Sequence, residues 1–324
     1  MQGEYCTPGQ NTGGIRNLVL IYNGHYDQQR GDWSAQELLP YLLYQKRNGS
    51  FGEPFFDGFL FLGLLSHTGN QMFEPVDPDK AATWDDFEWY LHKTLRPQGD
   101  LYALHEAVLQ ARNLSGQPQL QARLVLTIPF PARQTFGGPD GQKAAISRYI
   151  DRMEELYRPF AQLDTLQLCG LYWLHEDAAQ TELIAYASQK AKERGLAFLW
   201  IPYYRAFGFD RWQEMDFDAA ILQPNHYFNG TQPVQIQNTA ELAAQNNMGL
   251  ELEFDERAFD DENFYRRYLD YLEGAQRFGF AGPQVFKGYY QDVKALYNAV
   301  NQGGAHGREL YEKTFEVAAG HKGE

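Results

Sequence analysis

The chain has 324 residues, a formal net charge of −14, 44% hydrophobic residues and 22% charged residues. That composition is ordinary for a globular protein able to bury a large core. The acidic balance argues against a nucleic-acid or anionic-membrane partner, because such surfaces demand lysine and arginine. Aromatic residues reach 15%, with 21 Tyr and 6 Trp; a large core explains them as well as sugar stacking does, since Tyr and Trp offer flat faces with a polar handle.

Taken in order, the elements alternate. Ile15 to Asn23 predicts a strand, and a helix follows from Ser34, an N-cap residue, to Lys46. Phe56 to Leu65 is the second strand. An insert at about 66–115 carries a helix start at Thr83-Trp84-Asp85-Asp86 and a helix from Asp100 to Asn113. Arg123 to Phe130 and Leu166 to Leu174 are strands three and four, followed by helices at Gln142 to Phe160 and Thr181 to Arg194. Strand five spans Leu196 to Tyr203, with a short helical segment near Arg211-Trp212. Strand six spans Ala219 to Pro224, with a helix at Thr239 to Asn246. Strand seven, Leu250 to Phe254, leads to a helix at Glu262 to Phe278. Strand eight, Gln284 to Tyr290, leads to helices at Val293 to Val300 and Arg308 to Ala319.

The strands are continuous apolar runs, as in parallel sheets covered on both faces. Eight strand–helix units, with an extended segment at 1–13 and no linker or repeat, predict one (β/α)8 barrel domain over 1–324. A doubly wound open sheet is the alternative, but its glycine-rich first turn is missing. Met1 to Cys6 lacks the basic and apolar regions of a signal peptide, and no run reaches transmembrane length. Export as a mature chain and a cytoplasmic location both stay open. Of the two cysteines, Cys6 and Cys169, one buried and one free thiol are expected rather than a disulfide.

Barrel active sites form at the C-terminal ends of the strands. Those ends carry Tyr22, Asn23, His25 and Tyr26, then His67, then His175, Glu176 and Asp177. Tyr203, Tyr204 and Arg205 follow, then Gln223, Asn225, His226 and Tyr227, then Glu251, Glu253 and Asp255, and lastly Tyr289, Tyr290, Gln291 and Asp292. Two strands end in carboxylates, where charge is costly unless used. Side chains alternate along a strand. Leu250, Leu252 and Phe254 therefore face the helices, while Glu251, Glu253 and Asp255 face the barrel interior. On strand four, Tyr172, Leu174 and Glu176 share a face. Glycosidic cleavage needs one acid and one carboxylate facing each other, and Glu176 with Glu253 would supply them. Glu251, deeper, is expected to pair with Lys287 in a structural polar layer. Asp255 is the stand-in if the reaction inverts. By parity, one residue each of Tyr203-Tyr204 and Tyr289-Tyr290 reaches a ligand.

The segments Tyr172-Trp173-Leu174-His175-Glu176, Gln223-Pro224-Asn225-His226-Tyr227 and Glu251-Leu252-Glu253-Phe254-Asp255 resemble the bacterial family domain of unknown function 4855. More distantly they are similar to the barrel-fold retaining glycoside hydrolases, whose acid/base ends strand four and whose nucleophile ends strand seven. The resemblance implies a bacterial, polysaccharide-related protein with Glu176 as acid/base, Glu253 as nucleophile and Tyr227 touching the nucleophile. The clan places Asn before the strand-four acid; this chain has His175.

The expected function is therefore cleavage of a glycosidic bond in an oligo- or polysaccharide, without cofactor. Tyr22, Asn23, His25, Tyr172, His175, Tyr204, Gln223, Asn225, Tyr227, Asp255 and Tyr290 would contact the carbohydrate. Two alternatives remain. Strand-tip histidines (His25, His67, His175, His226) with Glu253 or Asp255 could serve a metal-dependent barrel hydrolase or isomerase, although the spacings match no metal motif. A barrel that binds glycans without turnover would need the same rim.

Overall fold

A computed structural model describes residues 3–320. Eight parallel strands close into a barrel. They are β1 (Asn17–Tyr22), β2 (Gly58–Leu62), β3 (Ala122–Ile128), β4 (Leu166–Trp173), β5 (Ala197–Trp200), β6 (Ala219–Leu222), β7 (Gly249–Glu253) and β8 (Lys287–Tyr290). The ring shuts where β1 pairs with β8, Asn17 opposite Lys287 and Val19 opposite Tyr289. β1, β2 and β5 to β7 are buried along their whole length, because barrel side chains cover one face and helices the other. The fold is the (β/α)8 barrel.

The surrounding helices are α1 (Ala35–Leu42), α2 (Trp84–Leu95), α3 (Asp100–Ser115), α4 (Pro139–Tyr157), α5 (Thr181–Lys192), α6 (Val234–Gln245), α7 (Glu262–Phe278), α8 (Ala295–Asn301) and α9 (Gly304–Ala319). Local signals set several ends. Ser34 and Glu37 form a capping box on α1, and Thr83 and Asp86 form one on α2. Gly116 ends α3 in the left-handed conformation that a Cβ disfavours.

Differences from the predicted elements have physical causes. The helix expected through Lys46 stops at Leu42, and Leu43–Gln45 instead pairs antiparallel with Phe51–Pro54. Gln45 N donates to the Tyr311 hydroxyl of α9 at 2.8 Å, a tertiary bond that propensity does not register. α6 begins at Val234 rather than Thr239, straight after Pro233. Between Leu124 and Val125 the β3–β4 register slips by one, leaving Cys169 as the extra residue of a bulge.

Beneath the barrel runs the N-terminal segment, of which Met1 and Gln2 lie outside the described residues. Cys6 N donates to Met248 O at 3.1 Å, and Phe286 N donates to Cys6 O at 2.9 Å, bridging the starts of β7 and β8. Both cysteines are free thiols with no disulfide between them, as expected, and both are buried. Among the described residues no helix is long and apolar enough to cross a membrane.

Candidate active site

At the C-terminal mouth of the barrel lies a cavity of about 550 Å³, within the range of small-ligand sites. Strand parity decides its lining. Tyr172 and Leu174 reach it from β4 and its tip, Glu251 and Glu253 from β7, and Tyr290 from β8. Glu176 stands past the end of β4, on the opposite wall from β7, and its carboxylate is open to the mouth. Glu253 is 2% exposed, and its charge is provided for. Its Oε2 accepts Tyr271 OH at 2.5 Å and Asn225 N at 2.7 Å.

A polar relay joins the two walls. Gln223 Nε2 donates to Glu176 Oε1 at 2.9 Å and to Ile201 O at 2.8 Å. Asn225 Nδ2 donates to Gln223 Oε1 at 3.1 Å, while the Asn225 backbone holds Glu253. Asn225 itself sits at φ 53°, a left-handed position that Asn tolerates better than most residues. Its backbone N–H is thereby aimed at Glu253 and its Oδ1 accepts Tyr204 N at 2.9 Å.

Burial pushes the Glu253 carboxyl up to about 7, against the Tyr271 and Asn225 hydrogen bonds, and the nearby Glu176 adds to the rise. Desolvation also raises Glu176, opposed by the Gln223 amide and His175. Glu251 is held well above the usual carboxylate range by burial, then by Glu253 and Glu176. Glu251 and Glu253 thus share one buried space and titrate as a pair, with the Glu176 charge acting on both.

Aromatic rings complete the walls. Tyr22 meets Tyr290 edge-on with centroids 5.3 Å apart. Tyr203 and Phe228, each 39% exposed, offer faces at the rim. The loop after β2 adds Phe73, Glu74 and Val76. His175 Nε2 lies 3.2 Å from Glu74 and 3.1 Å from Asp177, tying that loop to the tip of β4.

A family model described as Domain of unknown function (DUF4855) matches residues 17–316, the whole barrel. The chain belongs to that family. A search of curated proteins finds no match. Among solved structures, an alpha-L-fucosidase-like protein of Bacteroides thetaiotaomicron is similar at 12% identity and a TM-score of 0.46, with 98% of each chain covered. A GH113 beta-1,4-mannanase is similar at 12% identity and 0.44, covering 93% of this chain and 98% of its own. A mutant tryptophan synthase alpha-subunit of Pyrococcus furiosus is similar at 9% identity and 0.42, covering 93% and 95%.

Of the residues expected to be catalytic or to contact the carbohydrate, Tyr22, Tyr172, His175, Glu176, Gln223, Asn225, Glu253 and Tyr290 line the cavity together. The others do not. Asn23 is fully buried behind β1, where its amide donates to Thr94 and Asp100 and accepts from Tyr90, each at 2.9 Å. That side chain is spent on holding the end of β1 to α2 and α3. His25 lies in a neighbouring hollow of about 300 Å³ with His67 and Trp89. Tyr203 reaches the cavity in place of Tyr204, as the alternation from Ile201 requires. Tyr227 is buried and donates to Asp255 Oδ1 at 3.0 Å, and Asp255 caps a turn and clamps Arg257. Neither lines the cavity.

Two further expectations are corrected. Glu251 does not pair with Lys287: β8 sets Lys287 opposite Leu250, on the outward face, while Glu251 faces inward. Lys287 is instead wholly buried, donates to Gly282 O and Val285 O, and is pushed down to about 7 by burial. The four strand-tip histidines do not converge either. His226 turns away to Asp270 at 3.0 Å and Thr231 at 2.8 Å, His25 and His67 share the side hollow, and His175 alone reaches the cavity. Among the described residues no three His, Cys, Asp or Glu side chains are placed to hold a metal ion.

Sequence reasoning missed Tyr271. It lies on α7, outside every strand tip, and its amphipathic spacing marks it only as core. The loop residues Phe73 and Glu74 were equally unmarked, because a long irregular loop carries no periodicity.

Proposed function

We propose that this cavity hydrolyses a glycosidic bond in an oligo- or polysaccharide, with Glu176 as general acid/base and Glu253 as nucleophile. The observation that carries the reading is the pair of acids on opposite walls, joined through Gln223 and Asn225 yet solvated differently. Glu253 receives two donors on one oxygen, which favours its ionised form and points the other oxygen at a ligand. Glu176 has one donor and opens to the mouth, so it can meet a leaving oxygen and then a water. Desolvation raises its carboxyl, the direction a general acid needs. The exposed faces of Tyr203 and Phe228 suit stacking on sugar rings above the reacting bond.

The test is separate replacement, Glu176→Gln and Glu253→Gln, assayed on aryl glycosides and polysaccharides. Each change should lower turnover by roughly 10²–10⁴-fold, the usual worth of a positioned acid, base or nucleophile. Activated aryl glycosides, which need little leaving-group protonation, should be spared more by Glu176→Gln than by Glu253→Gln. Turnover that survives both replacements removes the assignment.

A further inference from the structure

Glu251 is not used by that mechanism. It is 2% exposed, it lines the floor of the cavity, and its Oε1 makes no hydrogen bond. An unpartnered buried carboxyl oxygen costs free energy unless a ligand uses it. The fold makes room for it: β8 passes it with Gly288, where a Cβ would stand 3.5 Å from Oε1 and 3.2 Å from Ile221 Cγ2.

The cavity around Glu251 is one-sided in charge. Glu74, Glu176, Asp177, Glu251 and Glu253 line it, and among the described residues no lysine or arginine does. Nearby Arg257 is clamped on Asp255 at 2.6 Å, outside the lining. Among the described residues His175 is the sole basic group on the walls, and it is flanked by Glu74 and Asp177. Six aromatic rings stand among these acids, and their faces attract cations. The acids are too spread to enclose a metal ion. A broad ring of acids and aromatic faces suits an organic ammonium instead.

We propose that the sugar seated on Glu251 carries a free protonated amine, so that the glycan is one containing unacetylated hexosamine. The inference rests on the hydrolase reading only in taking the ligand to be a sugar. An ammonium beside the Glu251 carboxyl counters its burial, and the carboxyl then releases its own proton to water. An acetamide fits less well, because it brings no positive charge to Glu251, and both N–H groups of the Gln223 amide are already committed to Glu176 and Ile201. The net charge of −14 would also draw a polycationic chain towards the protein.

Titration calorimetry at about pH 6, where a sugar amine is protonated, tests this. The probes are tetramers of glucosamine and of galactosamine, their fully N-acetylated forms, and the matching glucose and galactose tetramers. At least one amine tetramer should bind about tenfold or more tighter than its acetylated and neutral counterparts, as expected for a hydrogen bond between charged partners. Glu251→Gln, with melting checked alongside, should erase that preference without weakening binding of the neutral forms. No amine tetramer preferred by the wild-type protein, or a preference that persists in a folded Glu251→Gln variant, overturns the proposal. Amine tetramers that bind selectively without being cleaved would remove the hydrolase reading and leave this one standing. Cleavage of neutral glycans with no amine preference would do the reverse.

Discussion

At the scale of single residues, solvation separates the roles of like carboxyls. Glu253 keeps two donors in a dry site, and its titration near 7 has two measurable consequences. Hydrolysis through an ionised Glu253 should fall about tenfold for each pH unit below that value, read as the acid limb of kcat/KM. Stability should move in the opposite sense. A carboxyl raised from 4.5 to about 7 holds its proton more tightly in the folded chain than in the unfolded one. Its contribution is full below about 4.5 and is lost as pH rises through 7. Melting curves from pH 5 to 8 should therefore show the wild-type protein losing stability relative to Glu253→Gln, whose side chain does not titrate. A constant difference across that range would show that Glu253 is not shifted.

Elements matter because helices and loops deliver groups that the strands cannot. Tyr271 reaches Glu253 from α7, and its hydroxyl also accepts His226 N at 2.9 Å and Tyr227 N at 3.2 Å. Tyr271→Phe should move the acid limb of kcat/KM upward, since the ionised carboxylate loses a donor. It should also cost about 1–3 kcal/mol of stability through the buried N–H groups left unpaired. A purely structural Tyr271 would change melting and leave the limb where it was. On α2, Asp86 closes the capping box with Thr83 and accepts from Thr68 and Asn70 of the β2 loop at 2.6 and 2.9 Å. Those bonds hold its carboxyl well below the usual range despite its burial. The same loop carries Phe73 and Glu74 to the cavity. Asp86→Ala should cost about 0.5–2 kcal/mol, as loss of a cap does, and should raise KM more than it lowers kcat. Chemical denaturation and steady-state kinetics on the same preparation would separate the two effects.

The whole molecule divides function and stability between the two ends of the barrel. The acids, amides and rings gather at the C-terminal mouth, while the N-terminal segment seals the opposite end. Gly13 sits there at φ 64°, and a Cβ on it would come within 2.7 Å of Cys169 Cβ. Gly13→Val should therefore lower the melting temperature by several degrees, adding strain at a left-handed position to a clash, while ligand affinity of the folded fraction is unchanged. Weakened affinity at full folding would show that the two ends are coupled.

Much of this was legible in the chain alone, for a physical reason. Apolar runs of strand length separated by amphipathic helices can be buried on both faces only in a parallel, helix-covered sheet. Period-two alternation then sent Glu251, Glu253 and Tyr290 inward and Leu250, Leu252 and Tyr289 outward. Alternation would equally have excluded the pairing of Glu251 with Lys287 once strand register was known. Tertiary structure alone decided the rest. Asn23, Tyr227 and Asp255 stand at strand tips, yet helices and loops packed outside the barrel claim their polar atoms. Tyr271 and the β2 loop enter the site from elements whose local pattern says only core or coil. The sequence by itself determined which faces the strands bury and which acids turn inward, because those follow from a period of two residues. Which polar groups meet those acids, and which acid is left without a partner, depended on contacts between distant segments, and only the closed barrel brings those together.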